Sequence, residues 1–272
     1  MVKEGVKTLL EGIISVKAAI EGENRKIEKV YVDLNKRKQR DRKIMSFVSF
    51  LNEKNVDFEF LPREQIDGIL ADFSGEKAGN SHGGVIAFVS ERQMMSLEDM
   101  LKMSESGSYF VCLDGIEDPY NLGYCIRTLY AMGAKGFILS DRNWEKVSSV
   151  IARASAGASE LCNIAKAKEI DVDTARIIKE AGVDIVCSAL SKDSVPVHEF
   201  KPDKPFVLFV GGEKRGISAE FMEQAEMTVH IPYARSDVRY SLPAASVCAI
   251  YATQLYGYAV NGSEKVKKCS DM

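Results

Sequence analysis

The chain has 272 residues, 46% of them hydrophobic and 28% charged, which is the composition of a globular protein long enough for two domains. Its net charge of −3 argues against a protein that coats nucleic acid by bulk charge. No apolar stretch is long enough to cross a bilayer, and the N-terminal residues lack a signal-peptide pattern, so we expect a cytoplasmic location.

The cysteines and histidines do not form the spacings of a metal site. None of the six cysteines belongs to a C-x-x-C pair, and the three histidines are scattered along the chain. We therefore predict reduced core cysteines and no metal. The residues are Cys112, Cys125, Cys162, Cys187, Cys248, Cys269, His82, His198 and His230.

Residues 1–95 predict a first α/β domain. Its predicted elements are a helix at 16–20, a strand at 29–32, a helix at 44–51, a strand at 56–61, a helix at 63–71 and a strand at 85–89. Ser96-Leu-Glu-Asp99 resembles a capping box, so we expect a short helix to open a linker over residues 96–108.

Residues 25–43 form a basic run inside the first domain. They hold nine Lys or Arg and three acidic residues, a local balance of +6. Such a run is either a solvated surface or a patch that contacts phosphates. The candidates for contact are Lys36, Arg37, Lys38 and Arg40.

Residues 109–260 alternate strands with helices, which predicts a parallel sheet covered on both faces. Strands are predicted at 109–113, 136–139, 162–165, 184–188, 206–210 and 227–231, and helices at 122–132, 144–156, 171–181, 218–225 and 244–256. The polar tail at 261–272 is expected to fray. No G-x-G-x-x-G or P-loop follows a strand, which argues against a nucleotide-dependent dehydrogenase and an ordinary Rossmann methyltransferase.

Motif one (residues 113–128) follows the first of these strands with an acidic turn and a helix. Asn121 is the predicted N-cap, and Arg127 lies further along the same helix with a buried appearance. Both would lie near the carboxyl end of the strand, where open α/β sheets bind ligands. A capping Asn and a salt-bridged Arg explain the segment equally well.

Motif two (residues 206–218) is an apolar strand that ends in Gly211-Gly212-Glu213, with Ser218 predicted to cap the next helix. Glycines let a backbone approach a ligand closely, although a flexible turn is the simpler explanation. Motif three (residues 229–245) is a strand end, a loop and Ser241-Leu242-Pro243, with Pro243 at the start of a helix. Ser241 is otherwise only a residue near that helix.

Together, the three motifs in this order and spacing resemble the SpoU-type RNA ribose methyltransferases of the SPOUT superfamily. The segments 153–160 and 79–84 also resemble family segments, so the likeness covers nearly the whole chain. It implies an α/β fold with a C-terminal parallel-sheet domain that contains the SPOUT trefoil knot. It also implies a small N-terminal α/β domain, ribosomal-protein-like, that binds the RNA substrate.

The resemblance implies transfer of a methyl group from S-adenosyl-L-methionine to a ribose 2′-hydroxyl in RNA. Ribosomal RNA ranks ahead of tRNA, and a homodimer is implied. Arg127 matches the catalytic arginine of the family, with Asn121, Glu213 and Ser241 positioning it and the nucleotide. The implied cofactor-binding residues are Ser188, Ala189, Leu190, Gly211, Gly212, Ile231 and Leu242.

Two positions depart from the family pattern. Gly212 and Pro243 stand where the family usually has asparagine, and each change removes an amide that can donate and accept. These departures motivate an alternative, a degenerate relative that binds RNA without methylating it. If they weaken ribose positioning, restoring Asn at either position is expected to raise the rate.

Overall fold

The computed structural model describes residues 8–74, 82–140, 144–212, 216–238 and 241–270. It divides the chain into two compact units. Unit 1 contains Met1–Gln93 and Asn143–Leu161, and unit 2 contains Met94–Arg142 and Cys162–Met272. None of the helices in the described ranges combines the length and apolar character that a membrane span requires.

The N-terminal part of the chain forms eight elements of unit 1. They are β1 (Thr8–Glu11), α1 (Ile13–Gly22), β2 (Ile27–Asp33), α2 (Leu34–Lys38), α3 (Arg42–Glu53), β3 (Phe58–Leu61), α4 (Arg63–Ser74) and β4 (Val85–Val89). All six elements predicted from the sequence in this region are present, whereas β1 and α2 were missed. Both missed elements are short, four and five residues, so neither shows a clear period.

The rest of the chain continues the alternation of strands and helices. Its elements are α5 (Leu97–Leu101), β5 (Tyr109–Asp114), α6 (Pro119–Ala131), β6 (Gly136–Ser140), a 3₁₀ turn (Trp144–Val147), α7 (Ser148–Ala154), α8 (Ala158–Leu161), β7 (Asn163–Ala167), α9 (Val172–Glu180), β8 (Asp184–Ser188), β9 (Val195–Pro196), a 3₁₀ turn (Val197–Glu199), β10 (Phe206–Gly211), α10 (Ala219–Met222), β11 (Met227–His230) and α11 (Ala244–Ser270).

Unit 1 is built on a four-stranded mixed sheet in the order β1-β4-β2-β3. The β2–β3 pair is parallel, and β4 runs antiparallel to both of its neighbours. Residues of α1, α3 and α7 pack into one core with the sheet, and residues of α4 pack into a second. Although α7 and α8 come from the predicted methyltransferase domain, they belong to unit 1.

A buried ion pair joins residues 143–161, which contain α7 and α8, to the N-terminal part of unit 1. Arg25 Nε donates to Glu160 Oε2 at 2.7 Å and Arg25 Nη2 to Oε1 at 3.3 Å, and both side chains are buried. The contacts group residues 143–161 with unit 1, whereas the predicted domain at 109–260 includes them; that domain stays a prediction. Sequence periodicity cannot reveal which sheet a helix will join.

Unit 2 is built on a seven-stranded parallel sheet in the order β7-β6-β5-β10-β8-β11-β9. The six predicted strands are confirmed within two residues at each end, and only the two-residue β9 was missed. This confirms the predicted α/β class with a parallel-sheet domain. The trefoil knot and the ribosomal-protein-like character of the first domain stay predictions.

Three element boundaries after residue 95 differ from expectation. Ser96 Oγ accepts from the Asp99 amide at 3.0 Å, which confirms the capping box, but Leu97, Met100 and Leu101 pack into the core of unit 2. Residues 96–108 therefore cluster with unit 2, and the linker assigned to them stays a prediction. The helix predicted at 144–156 begins as a 3₁₀ turn, and α11 continues to Ser270 through the tail expected to fray.

Five cysteines are unpaired and buried, as predicted: Cys112, Cys125, Cys162, Cys187 and Cys248. The side chain of Cys269 lies outside the described residues. Burial raises the pKa of the Cys187 thiol to about 12, so this thiol stays protonated at neutral pH.

Candidate active site

The sheet order of unit 2 brings the three motifs together. Motif one follows β5, motif two follows β10, and motif three follows β11. In the sheet these strands lie in the order β5-β10-β8-β11 and are all parallel. Their carboxyl ends, together with the loop that follows β8, therefore meet at one edge, where open parallel sheets bind ligands.

The turn of motif one is capped by an acidic residue. The Asp118 carboxylate accepts from the amides of Tyr120 and Asn121, both at 3.2 Å, and Pro119 begins α6. The prediction that Asn121 is the N-cap is therefore wrong, because the helix begins earlier than its apolar pattern suggests. Asn121 lies in the first turn and is half-buried.

Arg127 lies two turns further along α6 and is exposed, which corrects its buried appearance in the sequence. Leu122, Cys125, Ile126 and Leu129 form the buried side of the helix, and Arg127 lies on the opposite side. Within the described ranges, no carboxylate forms a salt bridge with its guanidinium. Its donors are therefore available to a ligand.

Motif two is a tightly folded glycine turn. A Cβ on Gly211 would lie 2.6 Å from the carbonyl carbon of Gly216, and a Cβ on Gly212 would overlap the carbonyl oxygen of Gly115. The Gly216 amide donates to the Gly212 carbonyl at 3.0 Å and closes the turn. The close approach to Gly115 therefore favours glycine at position 212 in this backbone, and the expectation that Asn would raise the rate there stays a prediction.

Two further predictions concern the same segment. Glu213, a predicted catalytic residue, lies outside the described residues. Ser218 caps α10 as predicted, since its Oγ accepts from the Phe221 amide at 3.2 Å.

The loop after β8 is joined to β11 and α11 by hydrogen bonds. The Val229 carbonyl accepts from the Ala189 amide at 3.0 Å and from Tyr251 Oη at 2.9 Å. Burial raises the pKa of Tyr251 to about 12, while a hydrogen bond with Ser188 opposes that shift. Leu190, the next residue in the loop, is 83% exposed. Three predicted cofactor residues therefore lie in one hydrogen-bonded loop.

A hydrogen bond between Tyr233 and Leu242 joins the two ends of the loop of motif three. Tyr233 Oη accepts from the Leu242 amide at 3.2 Å. The Pro243 carbonyl accepts from the Ser246 and Val247 amides and so starts α11, close to the prediction. Ser241 is exposed beside Leu242, and Ile231 is half-buried at the end of β11.

Sequence reasoning missed three residues that shape these loops. Tyr251 lies in the helix predicted at 244–256, Tyr233 in the loop predicted for motif three, and His230 is one of the three scattered histidines. His230 Nδ1 lies 3.0 Å from Ser194 Oγ, which also donates to the Ser191 carbonyl at 2.7 Å. The contacts of Tyr251 and His230 have no sequence signal, because each joins residues of separate elements.

A cavity of about 40 Å³ lies beneath motif two, lined by residues that include Asp114, Ser218 and Phe221. It has room for a few water molecules and not for a nucleoside. Among the described residues, no group of three His, Cys, Asp or Glu is arranged to hold a metal ion.

The basic run lies in unit 1, and the structure divides it into two parts. Arg25 is buried with Glu160, and Lys29 pairs with Asp57 at 2.9 Å. By contrast, Arg37, Lys38 and Arg40 are exposed at the end of α2. Lys36 is half-buried and donates to the Gly83 carbonyl at 2.7 Å. The candidates for phosphate contact are therefore confined to the second part of the run.

Known proteins of the same kind share this architecture. The model of the SpoU rRNA Methylase family matches residues 108–252, more than half of the chain. The 23S rRNA (guanosine-2′-O-)-methyltransferase RlmB of Ralstonia nicotianae is 26% identical over 256 residues, which cover 90% of this chain and 95% of that protein. RlmB of Vibrio parahaemolyticus is 27% identical over 248 residues, covering 89% and 95%.

A crystal structure of an rRNA methyltransferase from Sinorhizobium meliloti superimposes with a TM-score of 0.70 at 23% identity, covering 94% of this chain and 88% of that one. At this identity the structure supports the fold alone. The match to the family model covers all three motifs and the sheet edge at which they meet. The chain therefore belongs to the SpoU rRNA Methylase family.

Proposed function

We propose that this SpoU-family enzyme transfers the methyl group of S-adenosyl-L-methionine to a ribose 2′-hydroxyl in ribosomal RNA. The observation that carries the proposal is the meeting of the three family motifs at the carboxyl ends of adjacent parallel strands. Ribosomal RNA is preferred to tRNA as the substrate because the RlmB relatives are named for 23S rRNA. A cytoplasmic location follows from this choice of substrate.

The proposed cofactor loops suit a cationic methyl donor. Ser188, Ala189, Leu190, Gly211, Gly212, Ile231 and Leu242 are all uncharged, so none repels a sulfonium. When bound, the cofactor supplies an electrophilic methyl group. The Leu242 amide already donates to Tyr233, so a cofactor contact through that amide requires the tyrosine to move.

Arg127 is the proposed catalytic residue. A guanidinium group is a poor general base. Arg127 is exposed and has no carboxylate partner in the described part of the chain, so its planar donors can orient the ribose hydroxyl and hold the adjacent phosphate. Asn121, Ser241 and Glu213 are proposed to position this arginine and the nucleotide. Much of the rate would come from alignment of donor and hydroxyl.

The non-catalytic alternative loses its main support. It rested on Gly212 and Pro243 as signs of decay. Gly212, however, is required by the close approach of Gly115, so its presence is explained by packing alone. We therefore retain the methyltransferase as the proposed function.

The exposed face of α6 supports a C2 homodimer. Tyr120 and Tyr124 are 45% and 47% exposed on the same side of the helix as Arg127, and Tyr256 on α11 is 54% exposed. Exposed aromatic residues on two helices are typical of surfaces that pair with a partner. We propose that two copies pair through this face. A monomeric mass by light scattering at micromolar concentration would refute the dimer.

The test of the function is transfer of labelled methyl to ribosomal RNA purified from cells that lack the gene, with tRNA as the second substrate. We expect label in the ribosomal RNA and none with Arg127→Ala. Arg127→Lys should also fail, because a single ammonium cannot replace a planar fork of donors. Calorimetry should show unchanged cofactor binding in both variants. An inactive wild type on both RNAs contradicts the proposal, and an active Arg127→Ala contradicts the role of Arg127.

A further inference from the structure

The exposed end of α2 carries an arginine stacked on an aromatic ring. The Arg37 guanidinium carbon lies 4.1 Å from the centroid of the Phe60 ring, in the cation–π range. Phe60 lies on β3, the edge strand of the unit 1 sheet, and contacts Phe58 edge-on at 5.5 Å. The guanidinium carbon lies over the ring, and the side chain as a whole is exposed.

Several hydrogen bonds fix the helix that carries Arg37. The buried Asp33 carboxylate accepts from the amides of Asn35 and Lys36 at 2.8 and 3.2 Å. Lys36 Nζ donates to the Gly83 carbonyl at 2.7 Å, and the Asp33 amide donates to the Gly84 carbonyl at 2.8 Å. The position of α2 is therefore set before any ligand arrives.

The turn at Gly83 and Gly84 is itself held by a buried histidine. His82 Nδ1 accepts from the Gly84 amide at 3.1 Å, which leaves the proton on Nε2. Nε2 then donates to Asp67 Oδ1 at 2.9 Å. A fully buried imidazole with both nitrogens engaged thus supports the turn that anchors Lys36.

Arg37 differs from the other cation that lies over a ring in unit 1. Lys17 lies 4.9 Å from the Phe50 ring centroid and also pairs with Glu21. Arg37 makes no salt bridge with a carboxylate anywhere in the described part of the chain. Exposed Lys38 and Arg40 flank it, so a planar surface is bordered by positive charge.

From this geometry we infer that Arg37 and Phe60 form a stacking platform for an unpaired base of the RNA substrate. Proteins that read single-stranded RNA stack splayed bases on aromatic rings or on the planes of arginine guanidinium groups. The neighbouring Lys38 and Arg40 would contact the phosphates on either side of that base. The inference rests on the proposed RNA substrate and narrows it to RNA with an unpaired segment at the contact.

The experiment compares two RNAs with the same number of phosphates, a hairpin with an unpaired loop and a fully paired duplex. Binding to the full-length protein is measured by fluorescence anisotropy without cofactor. Arg37→Lys keeps the charge and removes the plane, and Phe60→Leu removes the ring behind it. Lys38→Ala is the matched control, because it removes a neighbouring charge without touching the ring.

We expect Arg37→Lys and Phe60→Leu to weaken hairpin binding roughly tenfold and to leave duplex binding within about twofold. Lys38→Ala should weaken both RNAs alike and lower the salt slope by about one. A 2-aminopurine in the loop should be quenched by the wild type and not by Arg37→Lys. Circular dichroism confirms that each variant is folded.

The two proposals fail in different ways. If Arg37→Lys lowers binding to both RNAs equally, or to neither, the platform is wrong while methyl transfer to ribosomal RNA is unaffected. If the wild type binds neither RNA and transfers no methyl group, the proposed function and the platform are both wrong.

Discussion

The two units of this chain are stabilised by different means. All the charged residues and the histidine among the buried described side chains belong to unit 1: Arg25, Asp33, His82 and Glu160. In unit 2 the buried polar residues of the described ranges are Ser108 and Thr174, and its core is otherwise apolar. The unit that carries the proposed RNA surface thus depends on specific polar pairs, and the unit that carries the proposed active site depends on packing.

This difference has a consequence for mutation. An apolar core tolerates many substitutions that conserve volume, whereas a buried ion pair fails when one partner is removed. Single substitutions of buried polar residues should therefore lower the stability of unit 1 strongly. Substitutions that force the backbone to shift should lower the stability of unit 2 strongly. Four single substitutions test this contrast, in order of expected loss of stability, and one double variant tests the first of them.

The largest loss is expected for Glu160→Gln. It leaves the Arg25 guanidinium buried without a compensating charge, which costs about 3–5 kcal/mol. Hydrogen exchange should show that protection falls in β1 to β4 and is retained in β5 to β11. The matched control is Glu180→Gln in unit 2, where the exposed pair with Arg176 contributes little to stability because solvent screens it.

A second variant separates charge from packing at the same place. Arg25→Met combined with Glu160→Leu replaces the pair by apolar side chains of similar size, so we expect it to recover most of the lost stability. If the double variant is as unstable as Glu160→Gln, the ion pair is not the reason for the loss.

The next loss is expected for Gly212→Asn in unit 2. Its Cβ would overlap the Gly115 carbonyl, so the turn must shift, at a cost of about 1–3 kcal/mol. Methyl transfer should fall, contrary to the expectation from the family pattern. Pro243→Asn is the control, because Pro243 is exposed and should change the unfolding free energy by less than about 0.5 kcal/mol. A faster Gly212→Asn enzyme would show that the turn adapts.

These two sites show how far the sequence could predict this protein. The strands of the parallel sheet were predictable because each is a continuous apolar run, such as Tyr109 to Leu113. The close approach of Gly212 to Gly115 was not, because it depends on β10 lying beside β5, which periodicity does not encode. The ion pair of Arg25 was not predictable either. In the sequence Arg25 belongs to the basic run, and its partner Glu160 lies in a distant part of the chain.

The capping error at Asn121 has a local cause. Both Asp118 and Asn121 are good capping residues, and the choice depends on where helical backbone begins. Pro119, which is favoured at the first helical position, was the available signal for Asp118. The helix of motif one was thus predicted in the right part of the chain, whereas the residue that caps it was not.

A smaller loss is expected for Tyr251→Phe, which removes one buried hydrogen bond in unit 2. The Val229 carbonyl loses the Tyr251 hydroxyl and keeps the Ala189 amide, so the cost is about 1 kcal/mol. Because that carbonyl joins the loop at Ser188 to β11, we also expect weaker cofactor binding by calorimetry. Unchanged cofactor affinity would show that the tyrosine supports the fold alone.

The same variant predicts a pH effect. Burial raises the pKa of Tyr251 from 10.0 to about 12, so the folded protein holds this proton more tightly than the unfolded chain. The stabilisation is complete below pH 10 and is lost as the pH rises from 10 towards 12. Urea titrations across this range should show a smaller fall in unfolding free energy for Tyr251→Phe than for the wild type.

The smallest loss is expected for Ser96→Ala, and it tests where unit 2 begins. The Ser96 hydroxyl caps α5, so its removal costs about 0.5–1 kcal/mol. Because Leu97, Met100 and Leu101 pack into the core of unit 2, this cost should lower protection in β5 to β7 and leave unit 1 unchanged. If residues 96–108 were a free linker instead, α5 would unfold without any effect on the sheet. Equal exchange rates in β5 to β7 of the variant and the wild type would support the prediction that residues 96–108 are a linker. The boundary between the units would then lie nearer Ser108.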